Sequence, residues 1–223
     1  MGKHFTLTAS DSFKLGAYRA DPSGKAKGGI VLIQEIFGVN HHIRAVCDRL
    51  AGEGYAAVAP AVFDRQQPNF ESGYSPVIAN ARKFVANPDW SAMLRDVQAA
   101  INELKNNGPA GIMGFCMGGT ISFLAACKLN GLSAAVCYYG GQIAKNADEK
   151  PKVPTQMHFG EQDASIPMSD VETIKNKRGG DCEIYVYPNA QHGFHCDERG
   201  SYNAEAAKPA WQRAMAFLTK HVK

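Results

Sequence analysis

A pentapeptide near the middle of the chain, Gly114-Phe115-Cys116-Met117-Gly118, constrains the fold more than any other feature. It lies where an apolar strand-like segment, residues 110–113, gives way to an apolar helical pattern. Small residues on both sides of the cysteine suit a sharp strand-to-helix turn, because such a turn brings backbone segments too close for side chains. The turn exposes its central side chain above the edge of a sheet. The pattern therefore predicts that Cys116 is a displayed nucleophile.

Strand-like and helical segments alternate along the chain, which favours an α/β protein whose mostly parallel sheet carries helices on both faces. The predicted strands are 4–9, 14–20, 29–34, 55–59, 110–113, 133–139, 155–159 and 183–187. The predicted helices are 40–54, 88–106, the segment after the pentapeptide to about 129, 168–178 and 203–222. Asn87 is the expected cap of the second helix, with Pro88 as its first residue. Pro209 should bend or interrupt the last helix. Residues 61–75 read as an irregular loop, and the whole chain, 1–223, as one domain.

Composition excludes several classes of function. The net charge is +3, and no run of five like charges occurs, so a nucleic-acid partner is not expected. No segment approaches the roughly 18 to 20 apolar residues that a membrane span requires. The first residues lack the apolar core of a signal peptide. The six cysteines include no CxxC pair, which favours free thiols in a reducing compartment, and we predict a cytoplasmic protein.

Two residues later in the chain suit a catalytic partnership with Cys116. In a sheet of this type, the acid and the histidine follow the nucleophile in that order. Asp163 follows the strand at 155–159, and His192 lies in the loop after the last strand. We predict that His192 takes the thiol proton and that Asp163 orients the imidazole. Glu161 and Asp170 are the rival acids.

The strand at 29–34 runs into Glu35-Ile36-Phe37, which should lie beside the nucleophile. The backbone N–H groups of Ile36 and Met117 are the predicted oxyanion hole. Glu35 would either modulate the protonation of the thiol or pair with a cation before substrate arrives; a plain salt-bridge role is the alternative. Phe37 and Tyr139 are expected to line the pocket, with a core role as the alternative for both.

Metal ligation is not predicted. His192-x-x-His195-Cys196 lacks the helical HExxH arrangement, and no CxxC supports it. His41 and His42, at the start of a predicted helix, read as a solvent-facing and a half-buried residue.

Several segments together resemble the dienelactone hydrolase family over nearly the whole chain. They are Gln34-Glu35-Ile36-Phe37-Gly38, Gly114-Phe115-Cys116-Met117-Gly118-Gly119, Tyr138-Tyr139-Gly140, Gly160-Glu161-Gln162-Asp163 and His192-Gly193-Phe194. The resemblance implies an α/β-hydrolase fold and a Cys116-His192-Asp163 triad with Glu35 beside it. It also implies lactone or ester hydrolysis through an acyl-enzyme, on a small-molecule substrate and without cofactor or metal. The family's named reaction opens a carboxymethylene-butenolide ring to maleylacetate.

The chain departs from the family pattern in its arginines, one of which is expected shortly after the catalytic histidine to hold a substrate carboxylate. Cys196 occupies that place, and Arg199 follows three residues later. Arg82 is the candidate for the other substrate-binding arginine. Lactone or ester hydrolysis is predicted more firmly than action on dienelactone itself.

Alternative functions use the same residues. A thioesterase or general carboxylesterase would keep the triad, and a non-enzymatic redox-sensing or binding module would use Cys116 alone. The fold does not require a partner chain, so a monomer is the simplest expectation.

Overall fold

A computed structural model describes residues 2–74 and 79–223. Within them, eight strands form one mixed sheet in the order β1-β2-β4-β3-β5-β6-β7-β8. The strands are β1 (Lys3–Thr8), β2 (Lys14–Ala20), β3 (Gly29–Ile33), β4 (Ala56–Pro60), β5 (Ala110–Phe115), β6 (Leu132–Tyr138), β7 (Thr155–Gly160) and β8 (Cys182–Tyr187). β2 pairs antiparallel with both β1 and β4, and the strands from β4 to β8 pair in parallel.

The helices are α1 (His41–Gly52), α2 (Ala79–Ala86), α3 (Trp90–Leu104), α4 (Met117–Lys128), α5 (Met168–Arg178) and α6 (Ala204–His221). Every residue of β3, β4 and β5 is buried, which explains why these strands are continuous apolar runs. α1 packs on β2, β3 and β4, α4 on β3, β5 and β6, and α6 on β6 and β7. None of the helices in the described ranges is long and apolar enough to cross a membrane.

Most predicted strands and helices are found within a few residues of their expected bounds, and three details differ. α2 occupies a stretch to which the sequence assigned no element, and residue 75 of the predicted 61–75 loop lies outside the described ranges. α3 is capped by Asp89, whose carboxylate accepts from the Ala92 amide at 2.9 Å, and the Asn87 cap with Pro88 was wrong. α6 continues through Pro209, because the residues around it, Ala206, Ala210 and Trp211, bury a continuous apolar face.

The topology places the predicted site residues at one edge of the sheet. The parallel strands β3, β5, β6, β7 and β8 end at the same edge. Glu35, Cys116, Tyr139, Asp163 and His192 lie in the segments that follow these five strands. Open α/β sheets bind ligands at this edge.

Candidate active site

The turn between β5 and α4 holds Cys116 in a conformation that few residues adopt. Its φ of 56° and ψ of −118° lie outside the ordinary regions, and it is the residue that caps α4. The flanking glycines are sterically required: a Cβ on Gly114 would lie 2.1 Å from the Gly118 carbonyl oxygen. A Cβ on Gly118 would lie 2.5 Å from the carbonyl oxygen of Gln34. The turn thus places a partly exposed thiol at the start of a helix.

Cys116, His192 and Asp163 form a continuous hydrogen-bonded chain. The Cys116 Sγ lies 3.1 Å from His192 Nε2, and His192 Nδ1 lies 2.7 Å from Asp163 Oδ2. The other carboxylate oxygen of Asp163 accepts from the Ser165 amide at 2.8 Å. The Asp163 side chain is fully buried, so its orientation is fixed by these two partners.

Charges on both sides of His192 favour its protonated form. Burial lowers the pKa of the ring, but the Cys116 sulfur and the Asp163 carboxylate outweigh burial and raise the pKa to about 10. The ring of Tyr139 packs edge-on against that of His192 at 5.1 Å between centroids. The arrangement therefore favours an imidazolium beside the Cys116 sulfur, as expected where a histidine accompanies a cysteine nucleophile.

A second charged pair lies beside the thiol. Glu35 is 1% exposed, and its Oε1 accepts from Arg199 Nη1 at 2.9 Å. Its Oε2 has no partner in the described part of the chain. The Arg199 guanidinium lies 5.7 Å from the centre of the Phe37 ring. Gly193 makes room for it, since a Cβ there would lie 2.3 Å from Arg199 Nη1. Arg199 is thus the cation that offsets the buried carboxylate.

A cleft of about 380 Å³ opens above Cys116 and His192. Its lining residues are Ile36, Phe37, Arg82, Val85, Cys116, Met117, Thr120, Gly141, Gln142, Ser165, His192 and Arg199. The volume suits a small molecule. Two guanidinium groups and one imidazole lie along the cleft, and the Arg199 guanidinium is already paired with Glu35.

The structure brings most of the predicted site residues to this cleft. Ile36 and Met117, the proposed oxyanion donors, lie in its wall with Phe37 and Arg82. Tyr139 is fully buried and contacts the site through the ring of His192. The rival acids take other places: Glu161 accepts from the Asn189 amide, and Asp170 lies in the first turn of α5.

Arg199 is the site residue that sequence reasoning missed. The family pattern directed attention to the position of Cys196, where no arginine stands. The loop between β8 and α6 nevertheless returns Arg199 to the cleft. A buried carboxylate at Glu35 was the available signal, because such a group requires a cation nearby.

Cys116 differs from the other cysteines in its surroundings. All six are free, in agreement with the sequence. Cys47, Cys127, Cys137 and Cys196 are buried, and burial raises the pKa of both Cys127 and Cys196 to about 12. A buried thiol without a cationic partner is inert. Of the six, Cys116 is the one hydrogen-bonded to a histidine among the described residues.

The strand order and the strained turn at Cys116 define an α/β-hydrolase, and the solved structures agree. A provisionally named dienelactone hydrolase from Klebsiella pneumoniae is 32% identical and superposes with a TM-score of 0.84, covering 99% of this chain and 100% of the other. The model of the dienelactone hydrolase family matches residues 15–222, and the chain belongs to that family.

Two curated relatives bear the name of one enzyme. A provisionally named carboxymethylenebutenolidase of a Synechocystis species is 40% identical over 234 residues, which cover 96% of this chain and 95% of the relative. The carboxymethylenebutenolidase of Pseudomonas putida is 32% identical over 225 residues, covering 96% and 94%. The protein is accordingly a hydrolase of lactone or ester bonds.

Proposed function

We propose that the protein hydrolyses small lactones or esters through a covalent acyl-enzyme on Cys116, with His192 and Asp163 completing a triad. The observation that carries the proposal is the hydrogen-bonded chain from Cys116 Sγ through the His192 ring to Asp163 Oδ2. The strained turn supports it, since a structural cysteine would not require such a conformation.

The chemistry follows from this geometry in two halves. The Cys116 proton passes to His192 Nε2, and the sulfur attacks the substrate carbonyl carbon. The amides of Ile36 and Met117 would stabilise the oxyanion that forms. As the intermediate collapses, the bond to the leaving oxygen breaks and His192 returns the proton to that oxygen, leaving a thioester on Cys116. Water then gives a proton to His192 and attacks the thioester, releasing the acid and the thiol.

The two arginines of the cleft support a preference for substrates that carry a carboxylate. Arg82 and Arg199 both line the cleft above the thiol. A guanidinium recognises a carboxylate through two parallel hydrogen bonds. Arg199 already holds Glu35, so it is oriented before a substrate enters. A carboxylate-bearing lactone, of the dienelactone kind, is the substrate class that this arrangement fits best.

Replacement of the nucleophile tests the mechanism. The wild-type protein should hydrolyse p-nitrophenyl acetate, and Cys116→Ala should lose at least about 10³-fold of kcat/KM. Cys182→Ala is the matched control, because that cysteine is also partly exposed and lies far along the sheet in β8. Full activity in Cys116→Ala would rule out the mechanism.

A panel of lactones and esters, with and without a carboxylate, tests the substrate class. Arg82→Gln should raise KM for the carboxylate-bearing members by about tenfold, the loss expected for one charge-assisted contact. The neutral members should be unaffected. Lys83→Gln is the control, since Lys83 is exposed on the same helix and does not line the cleft. Equal or better turnover of neutral esters by the wild-type protein would contradict the proposed class.

A further inference from the structure

Histidine, carboxylate and cysteine side chains also lie close together at the start of α1, away from the catalytic cleft. His41 and His42 begin this helix and face the loop that follows His192. His41 Nδ1 lies 2.5 Å from Glu198 Oε1, and His42 Nδ1 lies 3.3 Å from Asp197 Oδ1. Cys196 lies against the second of these pairs. One ligand atom each from His42, Cys196 and Asp197 falls within 4.8 Å of the other two.

This group borders a cleft of its own. His42 and Asp197 line a space of about 560 Å³ between α1 and α6, together with Arg49, His195 and Trp211. Among the described residues, this cleft shares no lining side chain with the one above Cys116. Cys196 is fully buried, whereas the Asp197 side chain is 71% exposed. The three ligand atoms thus lie between the protein interior and an opening to solvent.

The donor set and its spacing match a particular ion. Nitrogen, sulfur and carboxylate oxygen together are ligands of Zn²⁺. Bonds of about 2.0 to 2.2 Å in a tetrahedron separate nitrogen and oxygen ligands by about 3.3 to 3.6 Å, and His42 Nδ1 lies 3.3 Å from Asp197 Oδ1. His42 is 4% exposed; its Nδ1 faces Asp197, whereas its Nε2 has no partner in the described ranges. A buried imidazole that turns Nδ1 toward a carboxylate can offer that nitrogen to a metal ion.

We propose that His42, Cys196 and Asp197 bind one Zn²⁺, with water from the cleft as the fourth ligand. Binding displaces the Cys196 thiol proton to solvent, and the imidazole binds in its neutral form. The ion joins the start of α1 to the loop that carries His192 and Arg199. It therefore stabilises that loop without entering the catalytic cleft.

The test uses the full chain with Cys116→Ala, which removes the active-site thiol as a competing ligand. Calorimetric titration with Zn²⁺ should show one equivalent bound, with a heat that changes between buffers of different ionisation enthalpy because a proton is released. Co²⁺ in place of Zn²⁺ should give the absorption of a tetrahedral site with a thiolate-to-metal band.

Substitutions in the same background locate the ion. Cys196→Ser should abolish the thiolate band, and Asp197→Asn should weaken Zn²⁺ binding by at least about tenfold. Asp197→Asn alters an exposed side chain, so it tests the site even if Cys196→Ser unfolds. Glu198→Gln is the matched control: it is the neighbouring acid, paired with His41 and outside the group, and it should bind Zn²⁺ as the parent does.

Two results would contradict the proposed Zn²⁺ site. One is the absence of saturable binding at one equivalent. The other is binding that Asp197→Asn leaves unchanged, or a thiolate band that persists in folded Cys196→Ser protein, since either would place the metal elsewhere.

Discussion

His192 and His195 lie three residues apart in one loop, and their surroundings make them opposites. His192 lies between the Cys116 sulfur and the Asp163 carboxylate, which raise its pKa to about 10 against the effect of burial. His195 lies between the rings of Phe115 and Trp211, stacked at 5.1 and 5.6 Å. Burial, with a smaller contribution from nearby His42 and Arg49, lowers its pKa to about 3.

The difference shows that burial does not decide the charge of a histidine. Both rings are withdrawn from solvent, yet one has anionic partners and the other has aromatic walls. A histidine with a carboxylate and a thiol as partners suits proton transfer. A neutral histidine between aromatic rings suits packing. The sequence assigned the catalytic role to His192, but the aromatic surroundings of His195 are seen only in the structure.

The largest expected effect is on catalysis at His192. His192→Ala removes the proton acceptor for the thiol, so kcat/KM for p-nitrophenyl acetate should fall about 10³-fold. His195→Phe preserves the aromatic stack and should stay within about threefold of wild type. Stopped assays on both purified variants make the comparison. If His195→Phe lost as much activity as His192→Ala, the division between the two histidines would be wrong.

A smaller loss is expected when the orienting carboxylate is neutralised. Asp163→Asn keeps the size of the side chain but cannot stabilise the imidazolium, so kcat/KM should fall about 10²-fold. Glu161→Gln, at the rival acid two residues earlier, should leave kcat/KM unchanged because Glu161 contacts the Asn189 amide instead. If Glu161→Gln lost more kcat/KM than Asp163→Asn, Glu161 would be the carboxylate that orients His192.

The smallest effect concerns stability in acid. The unfolded His195 ring binds a proton near pH 6.5, whereas the folded ring does so only near pH 3. The unfolded state therefore binds more protons between these values, and the free energy of unfolding falls as the pH is lowered through 6.5. His158, whose pKa burial also lowers, acts in the same direction.

His195→Phe measures that contribution. Between pH 7 and pH 5, the variant should lose about 2 kcal/mol less of its unfolding free energy than the wild-type protein. Urea unfolding at the two pH values provides the measurement. Equal losses in the two proteins would mean that His195 is protonated in the folded state.

The meeting of Cys116, His192 and Asp163 at one place in the fold was predictable from their order along the chain. Cys116, Asp163 and His192 each follow a strand, and parallel strands end at one edge, so sequence order fixed their meeting place. The sequence also suggested a cation as a partner for Glu35, and in the structure Glu35 pairs with Arg199.

The features that the sequence did not predict depend mostly on tertiary contacts, which the order of residues along the chain does not reveal. Arg199 reaches Glu35 only because the loop after β8 folds back over Gly193. The group of His42, Cys196 and Asp197 joins α1 to a loop more than 150 residues later, so no local spacing announces it. α2 has only eight residues, which is too short a stretch for a helical period to stand out in the sequence.

Selective alkylation tests the central claim, that Cys116 is the reactive thiol held by His192, most directly. The native protein is treated with limiting iodoacetamide, the modified cysteines are identified by peptide mass spectrometry, and the remaining esterase activity is measured in the same samples. We expect modification of Cys116 ahead of the other five cysteines, activity lost in proportion, and a rate at least about tenfold slower in His192→Ala. Activity lost with Cys116 unmodified, or retained with Cys116 fully modified, would contradict the account.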